Sequence, residues 1–271
     1  METVRDLGKR NVVGVLIDAL DYDAATNRII NAAKEGRGFA VTALAVHGVM
    51  TGVGDKEHRH RLNDFDIVTP DGQPVRWALN LLHRTHLEER VYGPSLSLRV
   101  YEQAAGEGLP VYFYGSRQEV LDGLRKRLPE RFPGLEIAGA EPSKFRRTST
   151  EEKGEIVRRI RESGAKIVMV GLGCPRQEVF TYEYHESLGM PVVAVGAAFD
   201  YHAGMVDEPP EWIQRYGFQW LYRLLQQPTR LWRRYLLLNP AYMTLVALQA
   251  LRVWRPNPNL GEAPKYELLY G

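Results

Sequence analysis

The chain predicts an α/β fold, a parallel β-sheet with helices on both faces followed by a helical C-terminal appendage. Three observations predict it. Apolar runs of strand length alternate with helix-length segments from residue 11 to residue 195, the pattern of parallel strands joined by crossover helices. With 271 residues, 44% hydrophobic and 25% charged, the chain is long and apolar enough to bury a full core as one large domain or as a domain with an appendage. The composition then changes. Residues 211–255 hold seven arginines against one carboxylate, a net +6, which leaves −4 for the remainder of a chain whose formal charge is +2. Four of the five tryptophans fall in the same stretch. The expected division is an α/β domain over residues 1–208 and an appendage over residues 209–271.

The elements follow in order. Residues 11–17 read as a first strand, and residues 24–34 as a helix with Ala25, Ile29, Ile30 and Ala33 on one side, ended by Gly36 and Gly38. Residues 39–46 are a second apolar run whose far end presents Thr42 and His47. The charged residues 56–63 read as the exposed part of a helix. Phe65, Ile67 and Val68 then make a buried strand that stops at Pro70, and residues 75–82 form the next helix. Ser95 reads as the cap of a helix running to about Ala105. After it come strand 111–114, helix 119–128, strand 135–138, helix 151–163, strand 166–170, a helix from Gln177, and strand 192–195. The sheet is Rossmann-like in its alternation. No internal repeat or low-complexity segment interrupts it.

Chemistry is expected where polar residues stand at the carboxyl ends of strands, because open α/β sheets bind ligands along that edge. Asp71 follows the strand that ends at Pro70; it is either a substrate carboxylate or the cap of an Asp71-Gly72 turn. Gly171-Leu-Gly-Cys-Pro-Arg-Gln-Glu178 follows a β-branched strand and opens a helix, so Gly171 and Gly173 let backbone approach an anion such as a diphosphate. Arg176 and Gln177 reach either that phosphate or solvent. The stretch is not the dinucleotide fingerprint, since Arg176 occupies its third glycine position, and an oxidoreductase loses support. Gly196-Ala-Ala-Phe-Asp-Tyr-His-Ala-Gly204 leaves room for a ring, with Asp200 able to accept from a nucleobase or ribose, or to serve as a turn residue. Two D-x-D tripeptides, Asp21-Tyr-Asp23 and Asp64-Phe-Asp66, read as structural: Asp23 as a helix cap, the second pair at the amino edge. His202 reads as a packed or surface histidine. No metal is expected.

Cys174 is the single cysteine, so no internal disulfide forms and a reducing, cytosolic setting is expected. The first ten residues lack an apolar signal core. In the appendage, Trp212, Trp220, Trp232 and Trp254 interleave with Arg215, Arg223, Arg230, Arg233 and Arg234, the residue types of a helix lying in a membrane interface. The uncharged residues 235–251 are too short and too broken by Asn239-Pro240 to span easily. Packing of these helices on the α/β body is the other reading. Nucleic acid fits less well, because the basic residues sit among aliphatic runs.

Taken together, Thr69-Pro-Asp-Gly with a following Trp77, Arg90-Val-Tyr-Gly, the Gly171 and Gly196 stretches, and Trp220-Leu-Tyr-Arg-Leu-Leu-Gln-Gln-Pro-Thr-Arg-Leu-Trp-Arg-Arg-Tyr resemble the WecG/TagA/CpsF glycosyltransferase family, glycosyltransferase family 26, in order over about residues 12–240. The resemblance implies an inverting, metal-independent transferase without a cofactor. Its donor would be a UDP-sugar and its acceptor a polyprenyl-diphosphate-linked glycan, in assembly of a bacterial cell-surface polysaccharide such as exopolysaccharide, capsule or teichoic acid. It implies Asp71 as catalytic base, Thr42, Arg90 and Gln177 lining the sugar and diphosphate site, and Asp200 near the nucleotide. It also implies an appendage that contacts membrane and lends arginine to the site. Arg215 and Arg223 are the expected active-site arginines; Arg230, Trp232, Arg233 and Arg234 are the expected membrane residues. The protein is then expected to be cytoplasmic and peripheral on the inner face of the membrane, and a homo-oligomer is compatible with this. The chain has Thr42-Ala-Leu44 where the family usually has Thr-Pro-Asn, which leaves the donor sugar open. The competing reading is a non-catalytic nucleotide-sugar or lipid-binding subunit of an assembly complex.

Overall fold

A computed structural model describes residues 4–210, 212, 213 and 216–271, without the side chains of Arg230, Arg233 and Arg234. The expectations for Arg215 and for those three side chains therefore fall outside the described residues. The main sheet has six strands, numbered along the chain: β3 (Phe39–Leu44), β4 (Ile67–Pro70), β5 (Val111–Tyr114), β6 (Ile137–Glu141), β7 (Ile167–Val170) and β8 (Pro191–Ala194). Their order across the sheet is β4-β3-β8-β7-β5-β6, and every neighbouring pair is parallel. Period-two alternation sends their side chains to two faces. Val41, Ile67, Phe113, Met169 and Val193 pack under α1 (Tyr22–Glu35), α5 (Gly93–Glu107) and α6 (Gln118–Arg131). On the other face, Tyr114, Val168 and Val170 meet α7 (Thr150–Glu162) and α8 (Arg176–Leu188), while Ala40 and Val68 meet α2 (Val46–Gly54), α3 (Lys56–Asp64) and α4 (Gln73–His83).

The first expected strand is instead a hairpin. β1 (Asp6–Val12) and β2 (Val15–Leu20) pair antiparallel in a separate two-stranded sheet. The turn is Val13-Gly14, both at positive φ (48° and 96°), a two-residue geometry that matches strand twist but that a valine conceals in the sequence. α2 has no capping side chain and was not expected; α3 is less exposed than expected, with His58, Arg61 and Leu62 buried. Asp21, not Asp23, caps α1 by accepting from Ala24 N–H at 2.8 Å, while Asp23 pairs with Arg99. Ser95 lies inside α5, whose cap is Tyr92. Asp66 accepts the Ala40 N–H at the amino edge of the sheet.

Beyond the short helix α9 (Ala198–His202), the appendage comprises α10 (Gln219–Gln226), α11 (Pro228–Leu236) and α12 (Leu238–Ala250). α12 is anchored by Tyr242 and Val246, both buried in the cluster under α2 and α4. Each such side chain contributes roughly 1.5–3 kcal/mol of burial. The helices α10 and α11 thereby lie over the carboxyl edge of the sheet.

Candidate active site

Two cavities open along that carboxyl edge. The first, of about 100 Å³, lies beyond β3 and β4 and is lined by His47, Asp71, Arg90 and Tyr92 from the body and by Gln219, Trp220, Arg223 and Tyr235 from the appendage. The second, of about 390 Å³, lies beyond β8, β7, β5 and β6; its wall includes Arg117, Ser143, Gly171, Gly173, Asp200 and, again, Arg223. Arg223 is the residue common to both linings.

Asp71 is placed by three backbone contacts. Its own N–H donates to the Leu44 and Thr69 carbonyls at 3.2 and 3.0 Å, tying the end of β4 to the end of β3. Its Oδ1 accepts the Gly93 N–H at 2.6 Å, at the first residue of α5. A carboxylate is favoured there, because the helix start presents orphan N–H groups and the positive end of the helix dipole. Arg90 is buried, and its guanidinium lies 4.3 Å from the centre of the Tyr92 ring. The Tyr92 hydroxyl accepts from Gln219 Nε2, and its backbone N–H donates to the Tyr22 hydroxyl at 2.9 Å. Burial pushes the Tyr92 phenol well above its usual range, with Tyr201 and Asp71 adding to the shift, so it stays protonated. For Arg223, burial opposes the charge, but the surrounding oxygens of Tyr201, Tyr235, Tyr92 and Asp71 outweigh it and the pKa is raised. A permanent cation thus stands between the two cavities.

Behind the wall of the second cavity lies a brace of buried polar groups. Gln177 Oε1 accepts the Gly173 N–H at 3.1 Å, and its Nε2 donates to Glu178 Oε1 at 2.9 Å, which also accepts from the Thr42 hydroxyl at 3.1 Å. Gly196 needs its hydrogen twice over: φ is +54°, and a Cβ would lie 3.0 Å from Gln177 Oε1. Gly171 likewise faces Phe199, with only 2.5 Å available to a Cβ. Both loops therefore keep close, side-chain-free backbone on the cavity wall, and the Gly173 turn precedes the start of α8, as an anion site requires.

The structure thus groups His47, Asp71, Arg90 and Arg223 at one cavity and Gly171, Gly173, Asp200 and Arg223 at the other. Thr42 and Gln177 are buried behind the wall as parts of the brace. Arg176 packs its guanidinium 5.1 Å from the centre of the Tyr270 ring. Trp232 is on α11 and partly exposed. Sequence reasoning missed Tyr92, Gln219 and Glu178. Glu178 stands in the same motif as Gln177, but a carboxylate in a first helical turn reads as a solvated cap. Nothing local marks Gln219. His58, Cys174 and Glu178 also place one N, S or O atom each within 4.8 Å of one another, a donor set that suits a zinc-like ion. Its members come from α3, the loop after β7 and α8, so sequence spacing does not show it. The group lies outside both cavity linings, and Glu178 Oε1 is already engaged by Thr42 and Gln177.

Residues 10–256 match the model of the glycosyl transferase WecG/TagA/CpsF family. Over 186 residues the chain is 33% identical to an N-acetylglucosaminyldiphosphoundecaprenol N-acetyl-beta-D-mannosaminyltransferase of Bacillus spizizenii, covering 68% of this chain and 69% of that protein. With a match that takes in both cavities, the sheet and the three appendage helices, the chain belongs to the WecG/TagA/CpsF family and is a glycosyltransferase.

Proposed function

We propose that the protein transfers a sugar from a UDP-sugar to a polyprenyl-diphosphate-linked acceptor, with inversion and without a catalytic metal, in assembly of a bacterial cell-surface polymer. The observation that carries this reading is the pair of adjoining cavities that share Arg223, one holding a fixed carboxylate and the other a glycine loop at a helix start. The relative from Bacillus spizizenii is named for a diphosphoundecaprenol-linked acceptor, which supports the acceptor class. The donor nucleotide occupies the larger cavity, its diphosphate against Gly171 and Gly173 and its sugar pointing past Arg223. The acceptor enters the smaller cavity from the side of Trp220 and Tyr235.

Asp71 accepts the proton of the acceptor hydroxyl as that oxygen bonds to the anomeric carbon, and the bond from that carbon to the diphosphate oxygen breaks on the opposite side. UDP leaves as an anion. Backbone N–H groups and the Arg223 and Arg90 cations stabilise its developing charge. A single in-line displacement inverts the anomeric centre. One carboxylate and fixed cations acting together support the reading of an inverting, metal-independent transfer.

The test is incubation with a panel of nucleotide sugars and a polyprenyl-diphosphate-linked N-acetylglucosamine, following release of UDP. Asp71→Asn should lower kcat by about 10²- to 10⁴-fold while donor binding stays within a few-fold. Turnover at the wild-type rate in that variant removes Asp71 from its role. Activity should also survive excess EDTA; complete loss that Mg²⁺ or Mn²⁺ restores overturns the metal-free mechanism.

A further inference from the structure

The family match stops at residue 256, yet residues 257–271 are closely tied to the body. They contain only one short 3₁₀ turn, Pro258–Leu260, so what holds them is contact rather than secondary structure. The Pro258 carbonyl accepts from Asn63 Nδ2 at 3.0 Å, and Gly261 sits so near His60 that a Cβ would come within 2.9 Å of its backbone. Glu262 N–H donates to the Lys56 carbonyl at 3.1 Å. Further on, Glu183 of α8 accepts from both Leu268 and Leu269 N–H, at 2.6 and 2.9 Å. The Leu269 carbonyl accepts from Thr148 N–H at 2.7 Å, and Tyr270 bridges to Arg147.

At Gly271 the strap meets the wall of the larger cavity. The Gly271 carbonyl accepts from the Ser143 hydroxyl at 2.7 Å, and Ser143 Oγ in turn accepts the Phe145 N–H at 2.9 Å. Both Ser143 and Phe145 line that cavity. Phe145 is unusual in two ways. The residue is 57% exposed, and its φ is +53°, a left-handed conformation that costs an L-residue roughly 1–2 kcal/mol. A bulky residue held in that region against its preference needs surroundings that enforce it, and here Ser143 and the strap do so. What the strain produces is a bare aromatic face at the rim of a polar cavity.

We infer that residues 257–271 act as a strap that sets Phe145 as the stacking surface for the nucleobase of the donor. The inference rests on the reading of the larger cavity as the donor site. A uracil ring laid on Phe145 gains from stacking on an aromatic face, which is sequence-tolerant. Asp200, on the same lining, then supplies the acceptor for a ring N–H. Ser143 is the positioning residue that couples strap to ring; Phe145 is the one that touches ligand.

The experiment measures binding of UDP and of inorganic diphosphate to the full chain by calorimetry. Phe145→Ala should bind UDP about tenfold more weakly or worse, and Phe145→Trp should restore it. Inorganic diphosphate, which has no base, should bind all variants equally. Ser143→Ala cuts the link without removing the strap and should weaken UDP in the same sense, and the Ser143→Ala/Phe145→Ala pair should be no weaker than Phe145→Ala alone. Deletion of residues 268–271 should reproduce the Ser143→Ala loss; should the shortened chain fail to fold, the point variants decide. UDP affinity unchanged in Phe145→Ala overturns the inference and leaves the donor-site reading standing. Parallel loss of diphosphate binding, or Ser143→Ala indistinguishable from wild type, overturns it too. Wild-type protein that binds no UDP at all overturns the donor-site reading itself.

Discussion

His202 shows how much a single residue at the edge of the site depends on its protonation state. Its Nε2 lies 2.8 Å from the Ser97 hydroxyl and 3.2 Å from the Pro94 carbonyl, in the first turn of the helix whose Gly93 N–H holds Asp71. Burial pushes its pKa down from 6.5 to about 4, with the Pro94 carbonyl pulling partly back and Arg131 adding to the fall. Its neutral form is the folded one. The unfolded chain takes up a proton near pH 6.5 and the folded chain only near 4, so stability is complete above the upper value and falls as pH drops through the window. Between pH 7 and pH 5 this one group removes about 2 kcal/mol. Urea melts of wild type and His202→Gln at both pH values check it. The variant, having no imidazole to charge, should lose less stability on acidification by about that amount; equal losses in the two proteins would refute the assignment. Other acidic groups titrate in the same range, and the comparison between variants cancels them.

At the scale of elements, the parallel sheet is legible because its strands are buried on both faces, and near-continuous apolar runs such as residues 166–170 have no other reading. The α7 start is legible too, since Ser149 and Glu152 form a capping box. Two elements were illegible for a physical reason. The β1–β2 hairpin turns on Val13 at positive φ, where sequence rules look for Asn, Asp or Gly. The helix α2 contains three glycines and no capping side chain, so tertiary packing against Leu44 and Leu62 rather than propensity forms it. The same divide runs through the site. Asp71 and the two glycine stretches stand at strand ends, where topology alone predicts ligands, and the cavities are found there. Thr42 and Gln177 are expected on the ligand side from sequence position; in the structure both are buried and hydrogen-bonded to Glu178. Sequence position identifies the edge of the sheet; it does not tell which polar side chains there point outward and which support from within.

For the molecule as a whole, the proposed lipid-linked acceptor raises the question of how a cavity on the sheet edge meets a substrate whose lipid stays in the bilayer. The appendage supplies both a wall of that cavity and an exposed apolar surface. Trp220 and Tyr235 line the cavity, while Leu225 is 74% exposed and Leu221, Leu236 and Leu237 are also open to solvent. Among the described residues, no helix is long and apolar enough to cross a membrane. An interfacial contact is the mode that this surface suits, with aromatic and aliphatic side chains at the headgroup boundary and arginines on anionic lipid. Arg230, Arg233 and Arg234 lie on α11 beside Trp232, three cations within five positions. Each basic residue near an anionic surface contributes roughly 1 kcal/mol, so reversing all three to Glu should weaken binding to anionic vesicles by at least about tenfold. Arg223 divides from this group: it sits between the cavities, and its change should reduce transfer to any acceptor. The triple variant should instead slow transfer to a long-chain lipid acceptor and spare a soluble short-chain one. Cosedimentation with vesicles of anionic and of neutral phospholipid, run beside both transfer assays, separates the two. Vesicle binding that the triple reversal leaves unchanged would mean that α11 is a packing helix only, and the route of the acceptor to Asp71 would have to be sought on another face.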